Sequence, residues 1–105
     1  MLYVFFTAGT EKYAIEAACV KEIIPVVPLR HCPGAPEYIC GLIPYRGDVA
    51  PVVDISLLLA GAPCSHRLST RIILIRYSRE DGRSRLLGLM AERVTQTVDK
   101  PQADF

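Results

Sequence analysis

Short, closely spaced strand signals are the feature that most limits how this chain can fold. Segments rich in β-branched and aromatic residues alternate with turn residues, and helical patterns are confined to the short stretches 16–19 and 55–59. Many short strands at this spacing are typical of small β-barrels or of a β-sandwich. We therefore predict an all-β fold, with strands over 2–8, 12–15, 20–24, 39–45, 49–53, 70–77 and 84–90, and another beginning within 94–98.

Local turn chemistry supports this division of the chain. Residues 46–48 (Arg-Gly-Asp) suit a tight hairpin connection, because Gly47 can adopt the positive φ that other residues rarely take. Asp54 is suited to cap the amino end of a short helix over 55–59, and Gly61 is suited to end that helix.

Length and composition indicate one folded domain. The chain has 105 residues, of which 50% are hydrophobic and 22% are charged. Its net charge of +1 gives no reason to expect a membrane or nucleic-acid surface. No apolar run approaches the roughly 18–20 residues of a membrane-spanning helix, and the apolar start lacks the basic residues of a signal peptide. We therefore expect a cytoplasmic protein.

The cysteine pattern gives no support for a cofactor. Four cysteines occur without a Cys-x-x-Cys pair, so in the cytosol they would stay reduced. A zinc site can be imagined from two His-Cys neighbourhoods, but the spacing is not that of a known zinc motif. Adjacent residues such as His31 and Cys32 also point in opposite directions on a strand. We predict neither a metal nor another cofactor. The imagined zinc ligands are His31, Cys32, Cys64 and His66.

The residues also offer no set suited to catalysis. The acidic residues are scattered, no Ser-His-acid order stands out, and residues 61–70 lack the Gly-Lys-Ser or Gly-Lys-Thr of a phosphate loop. We predict that the chain is not an enzyme. The alternative function is a small nucleic-acid-binding barrel, because arginines cluster in the second half. Among them only Tyr77 is available for base stacking, so we expect no nucleic-acid partner. The clustered arginines are Arg67, Arg71, Arg76, Arg79, Arg83 and Arg85.

An ordered set of segments resembles the CheW family of chemotaxis coupling proteins. Residues 39–55, Ile-Cys-Gly-Leu-Ile-Pro-Tyr-Arg-Gly-Asp-Val-Ala-Pro-Val-Val-Asp-Ile, resemble the central signature of that family. The signature has Asn-Leu-Arg-Gly where this chain has Pro44-Tyr45 before Arg46-Gly47. The other similar segments follow in order and at natural spacing. They are 13–15, 20–23, 33–36, 71–77 and 86–94.

The resemblance implies a fold of two small SH3-like, five-stranded β-barrel subdomains. We expect one CheW-like domain over 1–105, with a first subdomain over about 1–60 and a partial second one over about 68–105. Family domains usually extend about 30–40 residues further, within ordinary domain sizes. The second barrel is therefore expected to be incomplete, and its open strand edge invites pairing with another copy of the chain.

The resemblance also implies a function. It predicts a non-catalytic adaptor that links the cytoplasmic tip of a methyl-accepting chemoreceptor to the regulatory domain of a CheA-type histidine kinase. Such an adaptor serves bacterial chemotaxis or a related surface-sensing pathway. The matching positions give candidate contacts on two sides. The receptor side comprises Val20, Glu22 and Arg46, and the kinase side comprises Ile23, Gly41 and Ile43.

Each candidate also has a structural interpretation. Valine is frequently buried, so the structural interpretation of Val20 is a core residue. Gly41 within a strand indicates either close backbone approach or a bulge. Arg46 is expected either to meet a partner or to serve as an internal structural arginine. Regular alternation would place Val20 and Glu22 on one face of their strand and Ile23 on the other.

Overall fold

The computed structural model describes residues 2–66 and 68–96. Within these ranges the chain forms seven strands, one 3₁₀ turn and one short α-helix, so the predicted all-β fold is confirmed. The elements are β1 Tyr3–Ala8, β2 Glu11–Glu16, the 3₁₀ turn Ala17–Cys19, β3 Val20–Pro25, β4 Ile39–Tyr45, β5 Asp48–Asp54, α1 Ile55–Ala60, β6 Arg71–Ser78 and β7 Ser84–Gln96.

The last strand differs from the sequence-based expectation. The segments 84–90 and 94–96 belong to one strand, β7, rather than to two; residues 97 and 98 lie outside the described part. A local left-handed residue, Arg93 with φ 52°, bends β7 without ending it. The register against β1 shifts at the same place, because Phe5 pairs with Thr95 whereas Thr7 pairs with Glu92. The sequence pattern therefore suggests a strand end at a place where the structure has a bulge within one strand.

The strand β7 connects the whole sheet. Its first part pairs with β6 in an antiparallel register and with β5 in a parallel register. Its end pairs with β1, which also pairs with β2. On the other side of β6 lies β3, and β4 pairs with β5. A bridge between Arg30 and Leu42 joins the segment after β3 to β4.

These pairings join strands from both parts of the chain. The hairpin of β1 and β2 is tied to the end of β7, and β3 is tied to β6. The division into subdomains over about 1–60 and about 68–105, and the closed five-stranded barrels, stay predictions. No helix in the ranges that the structure covers is long and apolar enough to cross a membrane.

The apolar run in β6 is continuous because both faces of that strand are buried. Ile72 and Leu74 belong to one buried cluster, the first core, and Ile73 belongs to another, the second core. Alternate side chains of a strand point to opposite faces, so one strand supplies both clusters. The first core comprises Ile43, Ala50, Val52, Cys64, Ile72, Leu74, Leu86 and Met90. The second comprises Val4, Phe6, Val53, Ile55, Ile73, Leu89 and Ala91.

The predicted cap of α1 is confirmed. The Leu57 N–H donates to Asp54 Oδ1 at 3.1 Å, and Gly61 ends the helix with φ 76°. Asp54 also binds the loop that follows the helix, because the Cys64 N–H donates to its Oδ2 at 2.9 Å. One carboxylate thus fixes both the start of α1 and the path of the chain after it.

Candidate partner-binding surface

Three polar side chains meet where β3 lies beside the turn between β4 and β5. The Tyr45 hydroxyl donates to Glu22 Oε1 at 2.5 Å, and Arg46 Nη2 lies 3.5 Å from the same oxygen. The Arg46 guanidinium carbon is 5.3 Å from the centre of the Tyr45 ring, within the range of a cation–π contact. We call this group the Glu22–Tyr45–Arg46 cluster. It brings together two of the three receptor-side candidates.

The backbone of the hairpin places Arg46 outward. Tyr45 and Asp48 face each other across the turn, so Arg46 and Gly47 are its two central residues. Both have positive φ, 48° and 86°, as in a type I′ turn. The sequence pattern indicated a positive φ at Gly47 alone. The turn raises Arg46 out of the sheet, where its side chain is 78% exposed.

The electrostatics of the cluster are those of a surface. The Glu22 side chain is 42% exposed, so solvent screens its pair with Arg46, and such pairs contribute at most about 1 kcal/mol to stability. Donating a hydrogen bond to the Glu22 carboxylate raises the pKa of the Tyr45 hydroxyl, and the nearby Arg46 charge acts in the opposite direction. The cluster is therefore polar and accessible, and its ion pair adds little to stability.

A second ion pair lies on the other side of the same turn. Arg76 Nη2 is 3.5 Å from Asp48 Oδ2, and Arg76 Nη1 donates to Ser84 Oγ at 3.0 Å. Arg76 belongs to β6 and Ser84 to β7, so these two contacts of Arg76 connect the turn between β4 and β5 to both strands. Two of the six clustered arginines thus make structural contacts, since Arg71 Nη1 also donates to the Thr70 carbonyl oxygen at 2.8 Å. Another, Arg67, lies outside the described residues.

The predicted alternation along β3 is wrong. The register against β6 shifts between Val20 and Glu22, since Val20 pairs with Ile75 and Glu22 with the next residue back, Leu74. As a result Val20 and Ile23 both pack against the second core, while Glu22 faces the cluster. An irregularity of one residue moves a side chain to the opposite face. Val20 is therefore separated from the other receptor-side candidates.

A shallow cleft adjoins the two candidates in the middle of β3. It has a volume of about 440 Å³ and is lined by Glu22, Ile23, Arg71 and Val94. Ile23, a kinase-side candidate, is half-buried there rather than fully covered. The cleft thus places one receptor-side and one kinase-side candidate side by side.

The other two kinase-side candidates are internal. Gly41 is buried, and a Cβ atom added to it would lie 2.7 Å from the Arg30 carbonyl oxygen and 2.8 Å from Leu29 Cβ. Both features expected as alternatives at Gly41 are therefore present: the close backbone approach, and an irregularity in the register against β5 between Ile39 and Gly41. Ile43 is 6% exposed and belongs to the first core. Both residues are thus buried beneath the surface of the chain.

A groove beside α1 contains several groups that could be mistaken for a reactive site. It has a volume of about 510 Å³, and Cys40, Asp54, Cys64 and His66 are among its lining residues. Burial and the nearby Asp54 carboxylate raise the pKa of the Cys64 thiol to about 12, so that thiol is protonated near neutral pH. Burial also raises the pKa of Cys40. Across residues 2–66 and 68–96, no three His, Cys, Asp or Glu side chains are grouped as metal ligands would be.

Tyr45 is the functional candidate that sequence reasoning missed. In the sequence it stood out only as a departure from the family signature. Its contact with Glu22 joins residues 23 positions apart on strands that are not neighbours in the sheet. Residue spacing alone carries no signal for such a contact.

Comparisons with known proteins agree on one family. The model of the CheW-like domain matches residues 2–105. The chain is 24% identical over 103 residues to the chemotaxis protein CheW of Helicobacter pylori, covering 98% of this chain and 59% of that protein. It is 40% identical over 76 residues to the chemotaxis protein CheW of Bacillus subtilis, covering 72% of this chain and 48% of that protein.

A solved structure has the same fold. The crystal structure of the scaffolding protein TtCheW from Thermoanaerobacter tengcongensis superposes with a TM-score of 0.78 at 24% identity, covering 97% of this chain and 66% of that one. The chain spans about three-fifths of the length of the first curated relatives that it matches. With the family model matching nearly the whole chain, we conclude that this protein belongs to the family of CheW-like domains.

Proposed function

We propose that this chain is a non-catalytic adaptor that links the cytoplasmic tip of a methyl-accepting chemoreceptor to the regulatory domain of a CheA-type histidine kinase. The observation that carries the proposal is the CheW-like family match over residues 2–105, together with relatives named chemotaxis proteins. The adaptor would act in the cytoplasm, in chemotaxis or in a related surface-sensing pathway.

The receptor side of the adaptor would be the Glu22–Tyr45–Arg46 cluster. Arg46 supports this assignment because its guanidinium is largely exposed and can donate several hydrogen bonds to an acceptor on a partner. Glu22 lies beside Arg46 and also lines the cleft. Val20 would contribute less directly, by supporting β3 from the second core.

The kinase side would use Ile23 and the backbone that Gly41 and Ile43 organise. Ile23 offers an apolar contact at the cleft, which suits the apolar centre of a protein interface. Gly41 allows β4 to approach the segment after β3, and Ile43 fills the core beneath the same strand. Substitutions at these two buried positions would therefore act on kinase binding through the shape of β4.

An open strand edge supports a proposal about self-association. Within the described ranges, β2 pairs with β1 alone and lies at one end of the strand order. Its backbone groups on the outer side are available for a strand of another chain. We therefore include homo-oligomerisation in the proposal, through this edge in the first part of the chain rather than through the edge of the second barrel that the resemblance implies. Light scattering at high concentration tests it, and a strictly monomeric species would exclude it.

The adaptor function can be tested by direct binding. The folded protein is mixed separately with a purified chemoreceptor cytoplasmic tip and with a CheA regulatory domain, and the dissociation constants are measured by titration calorimetry. We expect both to bind. Binding to neither, by a protein with an intact circular dichroism spectrum, would refute the proposal.

A matched pair of variants tests the receptor side. Arg46→Ala removes charged hydrogen bonds worth about 1.5–3 kcal/mol, so we expect the receptor tip to bind at least about tenfold more weakly. The control is Arg83→Ala, which removes an exposed arginine from the turn between β6 and β7. Both variants should unfold close to the wild-type temperature. A large loss of stability in Arg46→Ala alone would instead assign Arg46 a structural role.

A further inference from the structure

We propose that Tyr45 is a positioning residue for receptor binding, because it holds Glu22 and Arg46 in the arrangement that the receptor tip meets. The inference rests on the proposed adaptor function and extends it to a residue at which this chain departs from the resembled signature. Three contacts carry it: one short hydrogen bond, one shared acceptor and one ring contact.

The hydroxyl of Tyr45 fixes Glu22 more closely than Arg46 does. Glu22 Oε1 is 2.5 Å from the Tyr45 oxygen but 3.5 Å from Arg46 Nη2. Hydrogen bonds to an ionised carboxylate are short and about twice as strong as neutral ones, whereas a separation of 3.5 Å is at the limit of a hydrogen bond. The carboxylate is therefore oriented mainly by the phenol.

Arg46 in turn depends on these two neighbours for its position. Its side chain is 78% exposed, so little packing restrains its torsions. The Glu22 carboxylate and the face of the Tyr45 ring are the contacts that hold the guanidinium over the turn. Only one of its five N–H donors is directed at Glu22, so the remaining donors stay available to an acceptor on the receptor tip.

Tyr45 is itself anchored firmly enough for this role. It is the last residue of β4, it pairs with Asp48 across the turn, and its side chain packs against the first core. A leucine, which the resembled signature has at this position, could fill the same space but would offer no hydroxyl. The polar anchor is thus a property of this chain rather than of the turn.

The test is a mutant cycle on receptor binding. The dissociation constant of the receptor tip is measured for the wild type, Tyr45→Phe, Glu22→Gln and the double variant. Each single change frees the Arg46 side chain, and ordering such a side chain again on binding costs about two- to tenfold in affinity. Tyr45→Phe removes the hydrogen bond and Glu22→Gln removes its charge, so both changes weaken the same charged contact and the double variant should bind no more weakly than the weaker single variant. The control is Tyr77→Phe, at an exposed tyrosine outside the cluster, which should bind as the wild type does.

A second measurement needs no partner. In the protein with ¹³C-labelled tyrosine rings, the Tyr45 hydroxyl should titrate above the ordinary pKa of tyrosine, and Glu22→Gln should bring that pKa back down. If the Tyr45 ring only filled space and made no hydrogen bond to Glu22, Glu22→Gln would leave the pKa of Tyr45 unchanged.

The outcomes separate the two proposals. If the wild type does not bind the receptor tip, the adaptor function fails and the role of Tyr45 in it fails as well. If the wild type binds and Tyr45→Phe binds equally well, only the positioning role is refuted. Purely additive losses in the double variant would also refute it. A non-additive loss with a shifted tyrosine titration would support it.

Discussion

Replacing Gly41 by alanine should destabilise the protein by about 2–4 kcal/mol. The new methyl group would lie 2.7 Å from the Arg30 carbonyl oxygen and 2.8 Å from Leu29 Cβ, closer than van der Waals contact allows. Relieving such overpacking costs about 1–3 kcal/mol, and the positive φ of 155° adds about 1 kcal/mol of backbone strain. The same carbonyl accepts the Leu42 N–H at 2.8 Å, so its displacement also weakens the bridge to β4.

The control for this prediction is Gly47→Ala. Gly47 also has a positive φ, 86°, but a Cβ atom there would meet no other atom within 4 Å. Gly47→Ala should therefore lower the free energy of unfolding only through backbone strain, by about 1–2 kcal/mol. Urea unfolding followed by circular dichroism measures both, and an unchanged m value shows that the transitions are comparable. If Gly41→Ala were no more destabilising than Gly47→Ala, the close approach between β4 and the segment after β3 would be wrong.

Three further predictions concern the cap, the core and a thiol. Asp54→Ala loses a helix cap and a charged hydrogen bond to Cys64, so its free energy of unfolding should fall by about 2–4 kcal/mol in urea titrations; a loss below about 0.5 kcal/mol would contradict this. Leu74→Ala should cost about 2–5 kcal/mol in the same assay, whereas the exposed Leu59→Ala should be nearly neutral, and equal losses would refute the burial argument. Cys64, with its pKa raised from 9.0 to about 12, should resist a thiol reagent at pH 8 while exposed Cys19 reacts. The folded state holds the Cys64 proton more tightly than the unfolded state does. The raised pKa of Cys64 therefore contributes its full stabilisation below about pH 9, and this stabilisation is lost as the pH rises towards 12. A Cys64→Ala variant should lack this pH dependence.

Local residue chemistry was sufficient to predict most elements of the fold. The hairpin turn at Gly47, the cap at Asp54 and the end of α1 at Gly61 each depend on the conformational preference of one residue. The continuous apolar run of β6 likewise indicated a buried strand. These features could be predicted because their causes lie within a few positions of each other in the sequence.

The candidate surface was less accessible to sequence reasoning. The irregularity before Glu22 reverses the face of Val20, and a bulge of this kind has no distinct residue signature. Arg93, with its positive φ, keeps β7 continuous where the polar residues around it suggest an end. The contact between Tyr45 and Glu22 depends on how distant strands come together, which is decided by the whole sheet.

The pairing of β1 with β7 has a consequence for how the protein is made. Thr7 and Glu92 are hydrogen-bonded across 85 residues of sequence, so β1 is completed by a strand that the ribosome makes much later. At about 5–20 residues per second, the hairpin of β1 and β2 waits several seconds for that partner. An isolated two-stranded hairpin is marginally stable in water. The apolar face of β1, with Val4 and Phe6, therefore lacks its partner during this interval of synthesis, and exposed apolar strands of this kind favour aggregation.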